Sequence, residues 1–98
     1  MYSATFRAVL FTKENCKPCK DTKDYVNSLF ETEEGLAAHY ACLQKENHAA
    51  LVASFDLDKF PTLLITNDSG REVGRFVGGN RVREVLPGVL NTLKLLEQ

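Results

Sequence analysis

The sequence predicts an α/β domain whose strands and helices follow one another as β-α-β-α-β-β-α. Three observations carry the prediction. A short apolar run from Phe6 to Thr12 gives way, across the polar Lys13-Glu14-Asn15, to an amphipathic helical pattern. A second alternation of strand and helix follows it, and a hairpin pattern leads into a last helix with one apolar face. Ninety-eight residues are enough to enclose a single core, so residues 1–98 are read as one domain.

Phe6 to Thr12 (Phe-Arg-Ala-Val-Leu-Phe-Thr) is short, apolar and β-prone, which suits a strand buried on both faces of a parallel sheet. Beyond it, Cys19, Thr22, Val26, Leu29, Phe30 and Glu33 recur at spacings of three and four, the mark of an amphipathic helix of about 15 residues. Pro18 falls in its first turn, where a missing N–H costs nothing, and Gly35 is expected to end it. Ala38 to Gln44 reads as a second strand, and Asn47 to Phe55 as a short helix capped by Asn47. Strand, helix, strand implies a right-handed crossover that sets the two strands parallel. Phe60-Pro61-Thr62 opens a third strand over Thr62 to Thr66, and the turn Asn67-Asp68-Ser69-Gly70 leads into a fourth over Glu72 to Val77, antiparallel to it. Gly78-Gly79-Asn80 interrupts the pattern. The helix that follows puts Val82, Val85, Leu86, Val89, Leu90, Leu93 and Leu96 on one face, and Pro87-Gly88 inside it predicts a kink or break near Leu86. No internal repeat, low-complexity segment or linker interrupts the chain.

A formal net charge of −1 with 26% charged residues supplies no electrostatic reason for nucleic acid or a membrane surface as partner. The start Met1-Tyr2-Ser3-Ala4-Thr5-Phe6-Arg7 lacks a basic segment followed by an apolar one, and no apolar run approaches about 18 residues, so a soluble, cytoplasmic protein is expected. A monomer is expected alongside. Three cysteines, an odd number, do not suggest a disulfide-stapled secreted scaffold; in a reducing compartment such pairs are more often catalytic or metal-binding.

Chemistry concentrates at Asn15-Cys16-Lys17-Pro18-Cys19-Lys20. A cysteine at a helix N-terminus faces unsatisfied backbone N–H groups and the positive end of the helix dipole, which favour the thiolate. Cys16 is therefore the expected nucleophile and Cys19, one turn further in, the resolving thiol, exchanging with a disulfide through a mixed-disulfide intermediate. Lys13, Lys17, Lys20 and Lys23 crowd this end, either stabilising the thiolate or forming a solvated face. The rival is zinc: Cys16, Cys19, His39 and Cys42 make Cys-x2-Cys followed by His-x2-Cys. Against it, the odd separation of His39 and Cys42 within a strand pattern sends them to opposite faces, and Cys16 opens a long helix instead of a tight knuckle. Cys42 alone reads as a small buried hydrophobe, or as a regulatory thiol. His39 and His48 read as surface or strand-edge residues. Phe6, Phe11, Phe30, Phe55 and Phe76 are assigned to the core and Phe60 to function, while Asp56 and Asp58 are expected to shape a turn.

From Arg7 to Leu96 the chain resembles the thioredoxin-fold family, with some glutaredoxin-like features. Three features in order carry the resemblance: Cys16-Lys17-Pro18-Cys19 after the first strand, Pro61-Thr62-Leu63-Leu64 opening the third, and Gly78 after the fourth. It implies a minimal thioredoxin fold, with a four-stranded mixed sheet flanked by three helices. It also implies that Pro61 is cis and lies against the cysteine pair, and that Asn15, Lys17, Pro18, Phe60, Pro61, Val77 and Gly78 line a substrate groove beside Cys16. The chain departs from the family's usual Trp-Cys-Gly-Pro-Cys at Asn15 and Lys17, and Leu10 stands where a buried aspartate usually assists the second cysteine. Phe11-Thr12-Lys13 with Asn15-Cys16, and Gly78-Gly79, are glutaredoxin-like. Lys17-Pro18, Lys59-Phe60-Pro61 and Asn80-Arg81 are not, and they weigh against glutathione. The resemblance implies a protein-disulfide reductase in electron transport, with no cofactor beyond a redox-active Cys16–Cys19 disulfide. The implied partners are disulfide-containing clients, ribonucleotide reductase among the candidates, and a thioredoxin reductase or glutathione for recycling. A glutathione-linked reductase and a non-enzymatic binding subunit stand as alternatives.

Overall fold

A computed structural model describes residues 6–33 and 35–97. The first strand, β1 (Phe6–Thr12), spans the predicted apolar run, with only Arg7 turned out to solvent. Its neighbours differ from a parallel sheet. It runs parallel to β2 (Tyr40–Gln44) on one side, with Leu10 opposite Cys42, and antiparallel to β3 (Thr62–Asn67) on the other, with Leu10 opposite Leu63. β3 pairs antiparallel with β4 (Glu72–Val77), so the sheet is mixed, in the order β2-β1-β3-β4.

Two-residue periodicity then sorts the core into two layers. Phe6, Ala8 and Leu10 of β1 and Leu63 and Ile65 of β3 face α1 (Lys17–Thr32) and α3 (Gly79–Glu97), meeting Val26, Phe30, Val82, Leu86, Leu90 and Leu93. Phe11 and Leu64 point the other way and join Leu57, with Val52, Phe55 and Phe60 packed against them under α2 (Ala49–Ser54). Helices on both faces bury most of β1 and β3, with Arg7 exposed and Val9 and Asn67 partly so. Phe6, Phe11 and Phe30 are buried, and Phe55 and Phe76 pack at the margins.

Four local expectations are corrected. α1 ends at Thr32 with Glu33 as its cap, and Gly35, with φ of 89°, serves instead in the turn closed by the Leu36 N–H to the Glu33 carbonyl. Leu36 must turn inward there to be buried, and that turn needs the positive φ that glycine accepts. Ala38 and His39 belong to a 3-10 turn (Ala37–His39) before β2, where the His39 ring stacks on Phe6. Asn47 does not cap α2: it ends a second 3-10 turn (Lys45–Asn47), and His48 precedes the helix without a side-chain cap. Pro87-Gly88 does not break α3. Arg83, whose carbonyl loses its N–H partner to Pro87, is exposed, as are Pro87 and Gly88, whereas Leu86 and Leu90 stay buried. The lost bond therefore faces water while the apolar face runs on unbroken. Leu96, predicted on that face, has a side chain outside the described residues. The far ends of α1 and α3 are tied by Lys94 Nζ to Glu33 Oε2 at 2.7 Å. Among the described residues no helix is long and apolar enough to cross a membrane.

Candidate redox site

Sheet topology gathers the site at one end. β1 ends at Thr12 beside Gln44, the last residue of its parallel partner, while Phe11 faces Thr62, where antiparallel β3 begins, and Thr62 faces Val77, where β4 ends. The segments 13–16, 45–47, 60–61 and 78–79 therefore leave or enter the sheet at the same edge. The sequence had placed the members of this set far apart.

Asn15 takes a left-handed conformation, φ 54°, which asparagine tolerates better than most residues, and turns the chain so that Cys16 caps α1. Cys16 is extended, at φ −125° and ψ 102°, and its Sγ accepts the Cys19 N–H at 3.1 Å, as a serine or threonine oxygen does at an ordinary N-cap. Its carbonyl accepts the Lys20 N–H. The two cysteines are joined as a disulfide with Cα atoms 5.2 Å apart. Cys16 is half-buried, and Cys19 is 2% exposed. On reduction the N–H that reaches Cys16 Sγ favours charge on that sulfur, and the first turn of α1 holds no acidic residue to oppose it.

The lysines divide. Lys17 pairs with Asp21 at 3.6 Å with side chains 86% and 46% exposed, a surface pair of small energetic weight. Lys23 lies close enough to Cys42 to act on its thiol. Burial pushes the Cys42 thiol above the ordinary cysteine range, and the Lys23 ammonium with hydrogen bonds to Tyr40 and Thr12 opposes that shift. Lys13 and Lys20 are exposed.

The Phe60–Pro61 peptide is cis, as the resemblance implies, and Pro61 is buried. Its carbonyl accepts the Gly78 N–H at 2.8 Å, which joins the proline loop to the end of β4. Gly78, at φ 94°, turns the chain from β4 into α3, and Val77 beside it is 41% exposed. The Phe60 ring is half-buried against the Phe11, Leu57 and Leu64 cluster, and Lys45 Nζ lies 5.3 Å from its centroid. What Phe60 leaves for a ligand is therefore chiefly its backbone. Lys45 and Glu46, which the sequence did not single out, border the site: Glu46 Oε2 accepts the Glu14 N–H at 3.4 Å. Arg75 is a third such residue. Its guanidinium pairs with Glu72 at 2.7 Å and donates to the Phe55 and Asp56 carbonyls, holding the start of the loop that ends in Phe60–Pro61. Thr62 Oγ1 closes that loop on the Lys59 carbonyl at 2.7 Å. Asp56, at φ 55°, turns the chain out of α2.

The candidate zinc set is not brought together. His39 sits at the opposite end of the sheet, its Nδ1 3.1 Å from the Phe6 carbonyl oxygen, whereas Cys16 and Cys19 lie past Thr12. Cys42 is a half-buried free thiol in the middle of β2. Leu10 is fully buried, so the interior presents hydrocarbon at the position where the resemblance leads one to look for a carboxylate.

No family model matches the sequence, and no curated protein sequence matches it. Solved structures do. A thioredoxin from Fasciola hepatica superposes with a TM-score of 0.73 at 22% identity, over 94% of this chain and 81% of that one. A Nicotiana alata thioredoxin gives 0.75 at 22% identity, over 89% and 72%. A Chlamydomonas reinhardtii thioredoxin gives 0.76 at 16% identity, over 94% and 82%. With the cysteine pair at the head of α1 and the cis proline at the mouth of β3 already in view, these superpositions show that the chain has the thioredoxin fold.

Proposed function

We propose that the protein is a thiol-disulfide oxidoreductase that reduces protein disulfides, with Cys16 as nucleophile and Cys19 as resolving thiol. The observation that carries the reading is the asymmetry of the pair: Cys16 Sγ takes a helix N-terminal N–H and is half-buried, while Cys19 is buried one turn away and within disulfide reach. Attack of the Cys16 thiolate on a client disulfide forms a Cys16–client bond and releases one client thiolate. Cys19, on losing its proton, attacks Cys16 Sγ, releases the second client thiolate and leaves the Cys16–Cys19 disulfide. Two electrons pass from the pair to the client. Asn15, Lys17, Pro18, Phe60, Pro61, Val77 and Gly78 are proposed to hold the client chain, supported by the convergence of their segments at one end of the sheet. Work in the cytoplasm as a monomer, in electron transport, fits the reductase reading. So does recycling by a thioredoxin reductase or glutathione, and disulfide-bearing clients such as ribonucleotide reductase are consistent with it by family analogy alone.

The test is dithiol-driven reduction of insulin. Wild type is expected to outpace Cys16→Ser, and Cys19→Ser to accumulate mixed disulfides through Cys16. Equal rates for wild type and Cys16→Ser, or no trapped adduct, would sink the assignment.

A further inference from the structure

Gly79 and Thr22 form a junction to which the proposed function assigns no role. A Cβ placed on Gly79 would lie 2.6 Å from Thr22 Oγ1 and 3.8 Å from the Pro18 carbonyl oxygen, so nothing larger than glycine fits unless one side moves. Thr22 is buried and lies on the inward face of α1 with Cys19, Val26 and Phe30. Its β-branched side chain has few rotamers open to it in a helix. Gly79 is the first residue of α3 and follows Gly78, whose N–H is held by the Pro61 carbonyl and whose own carbonyl accepts the Val82 N–H. A continuous path thus runs from Cys19 through one turn of α1 to Thr22, across a close contact to Gly79, and through Gly78 to the cis proline. α1 is fixed by the core through Val26 and Phe30, and α3 through Val82 and Leu86, whereas Gly79 is the first residue of α3 and follows Gly78, the single residue between β4 and α3. With Thr22 held to few rotamers, the Gly78–Gly79 end is the side expected to yield when the contact is overfilled.

We propose that the Gly79–Thr22 contact is a positioning device that sets the spacing between the cysteine helix and the Val77–Gly78 wall of the groove. The proposal rests on the reading of that groove as the client-binding site. Neither residue is assigned a contact with the reacting sulfurs, so the device acts on how the client is held, not on how the sulfurs react.

The experiment uses Gly79→Ala, Thr22→Ala and the double variant. Gly79→Ala is expected to raise KM for insulin about tenfold, within the ~100-fold that a 1 Å misplacement from a mutation away from the chemistry can cost. Its kcat should stay near the wild-type value. Thr22→Ala removes the hydroxyl that the new Cβ meets, so the double variant should recover most of the lost KM. In parallel, amide hydrogen exchange of Gly78 reads its bond to Pro61 in the oxidised protein, without any turnover. Protection should fall in Gly79→Ala and return in the double variant. Unchanged Gly78 protection and KM in Gly79→Ala, or a double variant no better than the single one, overturns the proposal. If wild type reduces no disulfide, the reductase reading fails, and Gly78 exchange still decides the contact. If Gly79→Ala does not fold, a folded double variant is the same rescue; failure of both to fold overturns it.

Discussion

Replacing Arg75 by methionine isolates what holds the loop leading to the cis proline. Arg75 lies on edge strand β4 opposite Leu64, on the α2 side of the sheet, and its guanidinium makes two kinds of contact. One is the ion pair with Glu72, at 2.7 and 3.0 Å with side chains 28% and 34% exposed. A pair in contact with water contributes about 0.2–1 kcal/mol. The other is donation to the carbonyls of Phe55 and Asp56, just past the end of α2, where backbone oxygens have no partner within the helix. Hydrogen bonds from a charged donor contribute about 1.5–3 kcal/mol, and one of the two is long at 3.4 Å. Arg75→Met should therefore cost about 2–3 kcal/mol, whereas Glu72→Gln, which spares the carbonyl bonds, should cost less than about 1 kcal/mol. At about 4–8 °C per kcal/mol for a domain of this size, Tm falls by roughly 10–20 °C in the first variant and by a few degrees in the second. Urea denaturation of the oxidised protein, with the slope m held as a check on two-state behaviour, measures both. Equal losses in the two variants would mean that the ion pair carries the stability, and would refute the assignment of Arg75 to the loop.

Two further predictions follow from the buried side chains. Tyr40 and Cys42 are both held protonated, Tyr40 by burial and the neighbouring thiol, Cys42 by burial against the opposing pull of Lys23. Their folded pKa values lie above the unfolded ones, so the stability they contribute is complete well below about pH 8.5, where an unfolded cysteine is half ionised, and is lost as pH rises further. Stability measured from pH 7 to pH 10 should fall, and Tyr40→Phe with Cys42→Ala should flatten that fall; an unchanged slope would contradict the shifts. Leu10→Asp places a carboxyl in a fully buried site between Leu63 and Cys42, at a cost of at least the about 2–5 kcal/mol of a leucine truncation. Desolvation raises that carboxyl's folded pKa, so the variant should be more stable at pH 4 than at pH 7, and the reverse order would show that the site is hydrated.

Much of the fold was legible because local pattern and global fold agree. The limits of β1 and β4 follow the apolar run and the alternating hairpin, and the faces of α1 and α3 follow their three- and four-residue spacings. Two of the corrected expectations share a physical origin. Gly35 and Pro87 each carry a strong local preference, and at each the packing of a neighbour decided the outcome: Leu36 turning inward beside Gly35, Leu86 and Leu90 carrying α3 past Pro87. Within the site, the cysteine pair announces itself by spacing and helix position. Arg75, Thr22 and Gly79 do not, since an arginine on an edge strand, a threonine on an apolar helix face and a glycine after a strand each have ordinary explanations.

The sequence by itself determined the order of strands and helices, the placement of Cys16 at a helix N-terminus, and the hydrocarbon at Leu10, because each depends on residues near one another in the chain. Only the tertiary structure decided that the half-buried Phe60 ring packs beside the Phe11, Leu57 and Leu64 cluster, that Lys23 acts on Cys42, and that Gly78 bonds to the cis proline while Gly79 meets Thr22 of α1. Those are contacts between segments far apart in sequence, fixed by sheet register and by the space left between packed helices. Neither quantity is written in any local run of residues.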